Sequence, residues 1–181
     1  MNEIFKFSFD KYYNENGEYY IGEMKNGLKD GKGILYYDKD DEYERKKYEG
    51  EFKKDKREGK GIIYWNNGKR YEGDWINDKA EGKGIFYLNN GDRYEGDFKN
   101  NKVLDGKGIY YYYNGDKYEG DWINGNKEGK GILYYNNGDR YEGDWINGNK
   151  EGKGIYYYNN GDRYEGDYKN IICLLNSKLN K

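Results

Sequence analysis

The sequence predicts an all-β fold, an elongated single-layer antiparallel β-meander with two strands in each repeat of about 23 residues. The first observation is the period, because Tyr141–Arg163 (YEGDWINGNKEGKGIYYYNNGDR) repeats Tyr118–Arg140 with a single change. The second is the alternation of aromatic and charged residues in Tyr-Glu-Gly-Asp-Trp-Ile, which is typical of a strand. The third is the dipeptide Asn-Gly between units, a strong hairpin signal.

The composition fits this fold and argues against several functions. Only 34% of the residues are hydrophobic, whereas 25 are Tyr and 28 are Gly, so rings lying over small residues must replace an aliphatic core. Positive and negative residues are interspersed to a net charge of −2, which disfavours nucleic-acid binding. One cysteine, no long apolar run and no recognisable signal peptide lead us to expect a cytoplasmic protein. A peripheral position at a membrane or the cytoskeleton stays open.

Three regions are predicted along the chain. Residues 1–19 form a degenerate half-repeat that caps the array, residues 20–168 form the array, and residues 169–181 form a cap or tail. Repeats begin at seven tyrosines: Tyr20, Tyr48, Tyr71, Tyr94, Tyr118, Tyr141 and Tyr164.

The turns are predicted from the positions of Asn and Gly. Asn137-Gly138 is assigned to a two-residue hairpin turn in which both residues have positive φ. The other connection in the late repeats, Ile-Asn-Gly-Asn-Lys-Glu, is predicted to be a longer polar loop.

Strand alternation assigns the residues to two faces. One face carries the rings and the strand glycines: Tyr141, Gly143, Trp145, Gly152, Gly154 and Tyr156. The other face carries the charges together with two further residues: Glu142, Asp144, Lys153, Ile155 and Tyr157. A glycine within a strand costs stability, so we expect each to leave room for a ring lying flat on bare backbone. These structural glycines are Gly73, Gly96, Gly120, Gly143 and Gly166.

The repeated residues resemble a known family. Tyr-Glu-Gly-(Asp/Glu)-(Trp/Phe)-x-Asn-Gly, then Lys-x-Gly-x-Gly, an aromatic pair and Asn-Gly-Asp-x-Tyr closely resemble the MORN (membrane occupation and recognition nexus) repeat, over about Tyr20–Tyr168. The resemblance implies a single-layer sheet, often curved, whose aromatic groove holds an extended segment of a partner. It also implies several roles: membrane tethers, cell-division scaffolds, ciliary components and arrays attached to lipid kinases or a histone methyltransferase.

No catalytic, cofactor or metal site is predicted. The Gly125–Gly131 stretch has three residues before its Gly-Lys where a phosphate loop needs four, and it recurs in every full repeat. The chain contains neither His nor Thr, which leaves Cys173 without a base and zinc without its usual nitrogen ligands. The acidic residues Asp38, Asp40 and Asp41 do not match a calcium loop. We therefore expect a non-enzyme without cofactors.

Two surfaces are candidate partner sites, and both also have structural roles. The aromatic groove, expected to be mainly the core of the fold, comprises Tyr71, Trp75, Tyr94, Phe98, Tyr118, Trp122, Tyr141 and Trp145. The lysine row, which neutralises neighbouring carboxylates or binds anionic headgroups, comprises Lys83, Lys107, Lys130 and Lys153, with Lys32 and Lys60 at the same repeat position. The apolar tail Ile171–Leu175 is predicted to cap the last sheet edge, with a homodimer contact and lipid attachment through Cys173 as alternatives.

These observations favour a non-catalytic scaffold or adaptor that binds proteins as extended segments along the aromatic groove and can self-associate. The alternative is a peripheral membrane tether that uses the lysine row. A weaker alternative is a regulatory array for a phosphoinositide kinase.

Overall fold

A computed structural model of the chain describes residues 11–13, 17–169 and 172–173. Within these residues there are fifteen strands and no helix. The chain divides into two compact units, Met1–Gly82 and Lys83–Lys181. Most of the predicted caps, including Ile171, Leu174 and Leu175 of the predicted dimer contact, lie outside the described residues.

The first unit is an antiparallel meander in which strands adjacent in sequence pair with each other. Its strands are β1 (Lys11–Tyr13), β2 (Tyr19–Lys25), β3 (Leu28–Tyr36), β4 (Arg45–Lys53), β5 (Lys56–Trp65) and β6 (Arg70–Ile76). The boundary between the units falls within β7 (Lys79–Tyr87).

The second unit continues the same pattern. Its strands are β8 (Arg93–Lys99), β9 (Lys102–Tyr111), β10 (Lys117–Ile123), β11 (Asn126–Tyr134), β12 (Arg140–Ile146), β13 (Asn149–Tyr157), β14 (Arg163–Lys169) and β15 (Ile172–Cys173). Each repeat thus supplies two strands, which confirms the predicted all-β meander.

The two kinds of turn are the reverse of those predicted. Asn147 and Gly148 have φ of 49° and 80°, so the connection assigned to a long polar loop is the two-residue turn with positive φ at both positions. In the Asn137-Gly138 loop only Gly138 has positive φ, at 91°. There the Gly138 amide donates to the Tyr135 carbonyl and the Tyr135 amide to the Asp139 carbonyl, which makes a wider loop around a type I turn. The prediction that both residues have positive φ is wrong for this loop.

A bulge corrects the predicted role of Gly152. Gly143 pairs with Gly154, and the next pair along the two strands is Trp145 with Lys150. From one pair to the next, β12 advances by two residues and β13 by four, so β13 bulges. Gly152 lies in this bulge with φ of 68°, and a Cβ there would face the Asp144 carboxylate, not a ring. Its glycine serves the backbone conformation and does not make room for an aromatic residue.

Glycines and tyrosine rings together form the core. In the second unit the strand glycines pair across β8 to β14 as a continuous row: Gly96, Gly108, Gly120, Gly131, Gly143, Gly154 and Gly166. A Cβ on Gly143 or Gly154 would lie 2.4–2.5 Å from the Tyr141 hydroxyl oxygen, so the Tyr141 ring lies on bare backbone. In the first unit, Gly73 occupies the same position opposite Gly61.

Tyrosine and tryptophan rings then interlock along this row. The Trp145 ring meets Tyr118 and Tyr141 edge to face, with centroids 4.9 and 5.5 Å apart. Its Nε1 donates to the Gly131 carbonyl at 3.2 Å in a buried hydrogen bond. The Trp145 ring therefore satisfies its indole N–H while it packs in the ring layer that covers the glycine backbone.

Tyr94 departs from the hydrogen-bond pattern of other core tyrosines, which leads to a prediction. The Tyr118 hydroxyl donates to the Asp121 carbonyl at 3.2 Å, and Tyr20, Tyr48, Tyr71 and Tyr141 make the same bond. The Tyr94 hydroxyl is buried without a hydrogen-bond partner among the described residues. We expect Tyr118→Phe to lower the free energy of unfolding by about 1 kcal/mol, because a made hydrogen bond is lost, and Tyr94→Phe to leave it unchanged or raise it. Urea denaturation of the two variants measures this; equal losses would contradict it.

Aspartates at the wider loops join consecutive repeats. The Asp139 carboxylate accepts the backbone N–H of Asn159, the Tyr156 hydroxyl and the Asn137 side-chain amide at 2.8–3.0 Å. The Asn159 backbone bond, followed by the side-chain bonds, lowers the pKa of Asp139 despite its burial. The Asp of Asn-Asn-Gly-Asp thus orders the next loop and fixes the direction of a tyrosine on the ring-bearing face.

Candidate interaction surface

The eight residues of the predicted aromatic groove lie in the core. Their side chains are between 0 and 6% exposed: Tyr71, Trp75, Tyr94, Phe98, Tyr118, Trp122, Tyr141 and Trp145. A partner on this face meets the side chains that lie over them. Partner binding by these eight residues themselves stays a prediction.

A second layer of tyrosines lies over the core rings of the second unit. We call it the tyrosine–lysine surface, and it consists of Tyr110, Tyr112, Lys127, Tyr135, Lys150, Tyr156 and Tyr158. Its rings contact one another, with centroids 4.8 Å apart for Tyr156 and Tyr158 and 4.7 Å apart for Tyr110 and Tyr112. Six of the seven side chains are half-buried and Tyr158 is exposed, so the surface is accessible to a partner.

Each lysine of this surface lies among three aromatic rings. The Lys150 Nζ is 4.5–5.3 Å from the ring centres of Tyr135, Tyr141 and Tyr156. It also donates a short hydrogen bond to the Tyr135 hydroxyl. These are cation–π distances, and the rings hold the ammonium group in place.

Lys127 has the same environment one repeat earlier. Its Nζ is 5.1–5.2 Å from the rings of Tyr112, Tyr118 and Trp145. Within the described residues, neither Lys127 nor Lys150 forms an ion pair.

Burial affects the protonation of both lysines. Desolvation, followed by the positive charge of Lys127, lowers the pKa of Lys150 to about 8. Desolvation also lowers the pKa of Lys127. Two cations are thus held one repeat apart in a partly dry environment without a counterion among the described residues.

The opposite face has paired charges. Four lysines of the predicted row contact the aspartate of the next repeat, at 4.0 Å for Lys83–Asp97, 2.6 Å for Lys107–Asp121, 2.5 Å for Lys130–Asp144 and 2.7 Å for Lys153–Asp167. Lys60 pairs with Asp74 in the same way. Because the lysine and aspartate positions alternate, this face does not present an unbroken positive row.

The first unit has a shallow trough on this charged face. It encloses about 650 Å³ between Ile21, Ile34 and Ile62 and the strand glycines, and charges of both signs border it. Rings cover the strand glycines on one side of the sheet, and on the other side the glycine backbone lines this trough together with the isoleucines and the charged residues.

No metal or membrane-spanning site is found in the part of the chain that the structure describes. No group of three carboxylate or cysteine side chains is arranged to hold a metal ion among residues 11–13, 17–169 and 172–173. The same residues include no helix long and apolar enough to cross a bilayer.

Comparison with protein families identifies the repeat. The MORN repeat matches residues 20–42, 48–70, 71–93, 94–117, 118–140 and 141–163, which is most of the chain. The chain belongs to the MORN-repeat family. No protein with a curated description matches it.

Solved structures share the fold of this MORN-repeat chain at low sequence identity. The TCP domain of SAS-4 (dCPAP) of Drosophila melanogaster, in complex with a proline-rich motif of Ana2 (dSTIL), has a TM-score of 0.56 at 14% identity. That match covers 87% of this chain and 83% of the other. The TCP10 domain of Danio rerio CPAP, in complex with a STIL peptide, has a TM-score of 0.51 at 12% identity and covers 84% and 64%.

Sequence reasoning missed the tyrosine–lysine surface of this MORN-repeat protein. Lys127 and Lys150 stand in the Asn-Gly-Asn-Lys stretch that was assigned to a polar loop, but both belong to strands, β11 and β13. The tight Asn-Gly turn just before them was the available signal, because a two-residue turn brings the next residues into the strand.

Proposed function

We propose that this chain is a non-catalytic scaffold that binds an extended segment of a partner protein on the tyrosine–lysine surface. The observation that carries the proposal is this surface itself, in which half-buried tyrosines surround two cations without counterions. Tyrosine is enriched at interfaces because it combines apolar area with a polar hydroxyl.

The comparisons support the type of ligand. Two solved domains with this fold are complexes with a proline-rich motif or a peptide of another protein. A single-layer sheet has no second layer to cover its faces. An open face of this kind suits an extended ligand that has no fold of its own.

Selection of linear peptides from a random display library on the immobilised chain tests this function. We expect selected peptides to lose affinity with Tyr158→Ala. Tyr157→Ala is the matched control, since this neighbouring tyrosine lies on the opposite face, where its ring stacks with Arg140 at 3.9 Å. A selection that yields no peptide, or peptides that Tyr157→Ala weakens and Tyr158→Ala does not, would contradict the proposal.

Flotation with anionic and neutral vesicles tests the membrane alternative. Because the lysine row is paired with aspartates, we expect no salt-sensitive binding to anionic vesicles. Binding that is lost in a variant with Lys83, Lys107 and Lys130 changed to Glu would favour a membrane tether instead.

A further inference from the structure

A difference between repeats shows why Lys127 lacks a counterion. In the first unit, the equivalent position is Arg57, and the Asp78 amide donates to the Arg57 carbonyl at 3.1 Å. In the second unit the Gly148 amide donates to the Lys127 carbonyl in the same way, at 2.9 Å. Asp78 and Gly148 therefore occupy corresponding positions in the tight turn, each with positive φ.

The side chain at that turn position decides the charge balance. Asp78 accepts a hydrogen bond from Arg57 Nε at 3.1 Å and neutralises a guanidinium that lies 4.3 Å from the Trp75 ring centre. Asp55 pairs with Lys29 at 3.8 Å in the same position of the preceding repeat. Gly148 has no side chain, so Lys127 keeps the aromatic environment without the carboxylate.

We propose that Lys127 and Lys150 bind two acidic side chains, three residues apart, of an extended proline-rich segment of a partner protein. This inference rests on the proposed function and specifies the chemistry of its ligand. Acidic side chains would complement these two lysines, which lack a counterion. The lysines of the row on the other face are already paired with aspartates.

Spacing decides between one acidic group and two. The lysines lie on β11 and β13, two strands apart, which corresponds to about 10 Å. One carboxylate or phosphate is too small to contact both ammonium groups across that distance. A polyproline II segment advances about 9.3 Å in three residues, so acidic residues at i and i+3 match the repeat step.

The surrounding tyrosines fit the rest of such a segment. The Tyr112 ring is 5.1 Å from the Lys127 Nζ, and Tyr158 contacts Tyr156, whose ring is 5.3 Å from the Lys150 Nζ. Both present ring area for proline side chains, as in other aromatic grooves for polyproline II ligands. A proline-rich chain is already extended, so it loses little conformational entropy on binding.

Synthetic peptides test the inference on the full chain by calorimetry. We expect a peptide of four Pro-Pro-Glu triplets to bind at least about tenfold more tightly than two controls. One has the same composition with its glutamates at every second position, so that no two are three residues apart, and the other has Pro-Pro-Lys triplets. Equal affinities for both acidic peptides would overturn the spacing argument.

Two double variants distinguish binding at the tyrosine–lysine surface from a general effect of the protein's charge on peptide affinity. Lys127→Met with Lys150→Met should reduce the affinity at least about tenfold. Lys130→Met with Lys153→Met, the same charge change on the same two strands but on the opposite face, should leave the affinity within about twofold. An equal loss in both double variants would overturn the proposal.

Gly148→Asp supplies the missing carboxylate from the chain itself. Asp78 adopts φ of 67° at the corresponding position, and a Cβ on Gly148 would meet no atom within 4 Å, so the variant can fold. We expect it to weaken the Pro-Pro-Glu peptide at least about fivefold and to leave the melting temperature equal or higher. A folded Gly148→Asp protein with unchanged affinity would count against the site.

The pH dependence gives an independent readout. Lys150 loses its proton above a pKa of about 8, so affinity for the acidic peptide should fall about tenfold from pH 7 to pH 9. The rings that contact Lys150 belong to Tyr135, Tyr141 and Tyr156, and the Tyr156 hydroxyl donates to Asp139. The charge of Lys127, one repeat away on β11, also acts on Lys150. Burial raises the pKa of each of these tyrosines, so they stay neutral over this range. A flat affinity from pH 7 to pH 9 would contradict a role for Lys150.

Failure of this inference can be told apart from failure of the proposed function. If library peptides bind through Tyr158 while the Pro-Pro-Glu peptide does not bind, the scaffold function stands and the acidic spacing is wrong. If neither binds, the proposed function is wrong. Self-association that Gly148→Asp abolishes would identify a second copy as the occupant and overturn the partner segment.

Discussion

Gly143→Val should unfold the second unit, with a loss of at least about 4 kcal/mol in the free energy of unfolding. A Cβ at Gly143 would lie 2.4 Å from the Tyr141 hydroxyl oxygen and 2.7 Å from the Cα of Gly154. The Tyr141 ring cannot move aside, because Trp145 and Tyr168 hold it edge to face with centroids 5.5 and 4.7 Å away. The clash with Gly154 is with backbone, so no side-chain rotation relieves it.

Thermal and urea denaturation followed by tryptophan fluorescence measure this loss. Gly161→Asn is the matched control: Gly161 has φ of 94°, which Asn tolerates better than most residues, and its Cβ position is open. We expect this control to stay within about 1 kcal/mol of the parent. A Gly143→Val protein that melts at the parent temperature would show that the Tyr141 ring does not lie on this glycine.

Trp145→Ala should cost about 3–5 kcal/mol of unfolding free energy. The indole is 3% exposed, meets Tyr118 and Tyr141 edge to face, and donates its N–H to the Gly131 carbonyl. Its removal leaves a cavity between two ring layers and breaks the buried hydrogen bond to the Gly131 carbonyl.

Ile146→Ala is the control for this loss. Ile146 is the next residue on β12 and is 48% exposed, so its truncation should cost less than about 1 kcal/mol. Equal urea midpoints for the two variants would contradict the assignment of Trp145 to the core. Substitution of Trp122 and Trp145 by alanine would unfold the protein, so binding studies should use Tyr158→Ala and the lysine variants instead.

The repeat period and the strand alternation determined much of this structure. Tyr-Glu-Gly-Asp-Trp recurs at a fixed step, and because strand side chains alternate, that step predicts a meander with rings on one face and paired charges on the other. The placement of Tyr141 over Gly143 follows from the same alternation, because only glycine leaves room for a flat ring. The order of the two kinds of turn did not follow, because Asn-Gly occurs in both connections and only the hydrogen bonds around it distinguish them.

Contacts between repeats decided the rest. Burial of the eight predicted groove residues depends on rings from neighbouring repeats that cover each other, and alternation within one strand does not report that. The lack of a counterion at Lys127 depends on Gly148, a residue 21 positions later in the chain whose backbone amide donates to the Lys127 carbonyl. The sequence thus determined which residues face the same way, and the tertiary structure decided which of them are covered and which charges lack a counterion, since both depend on neighbours distant in the chain.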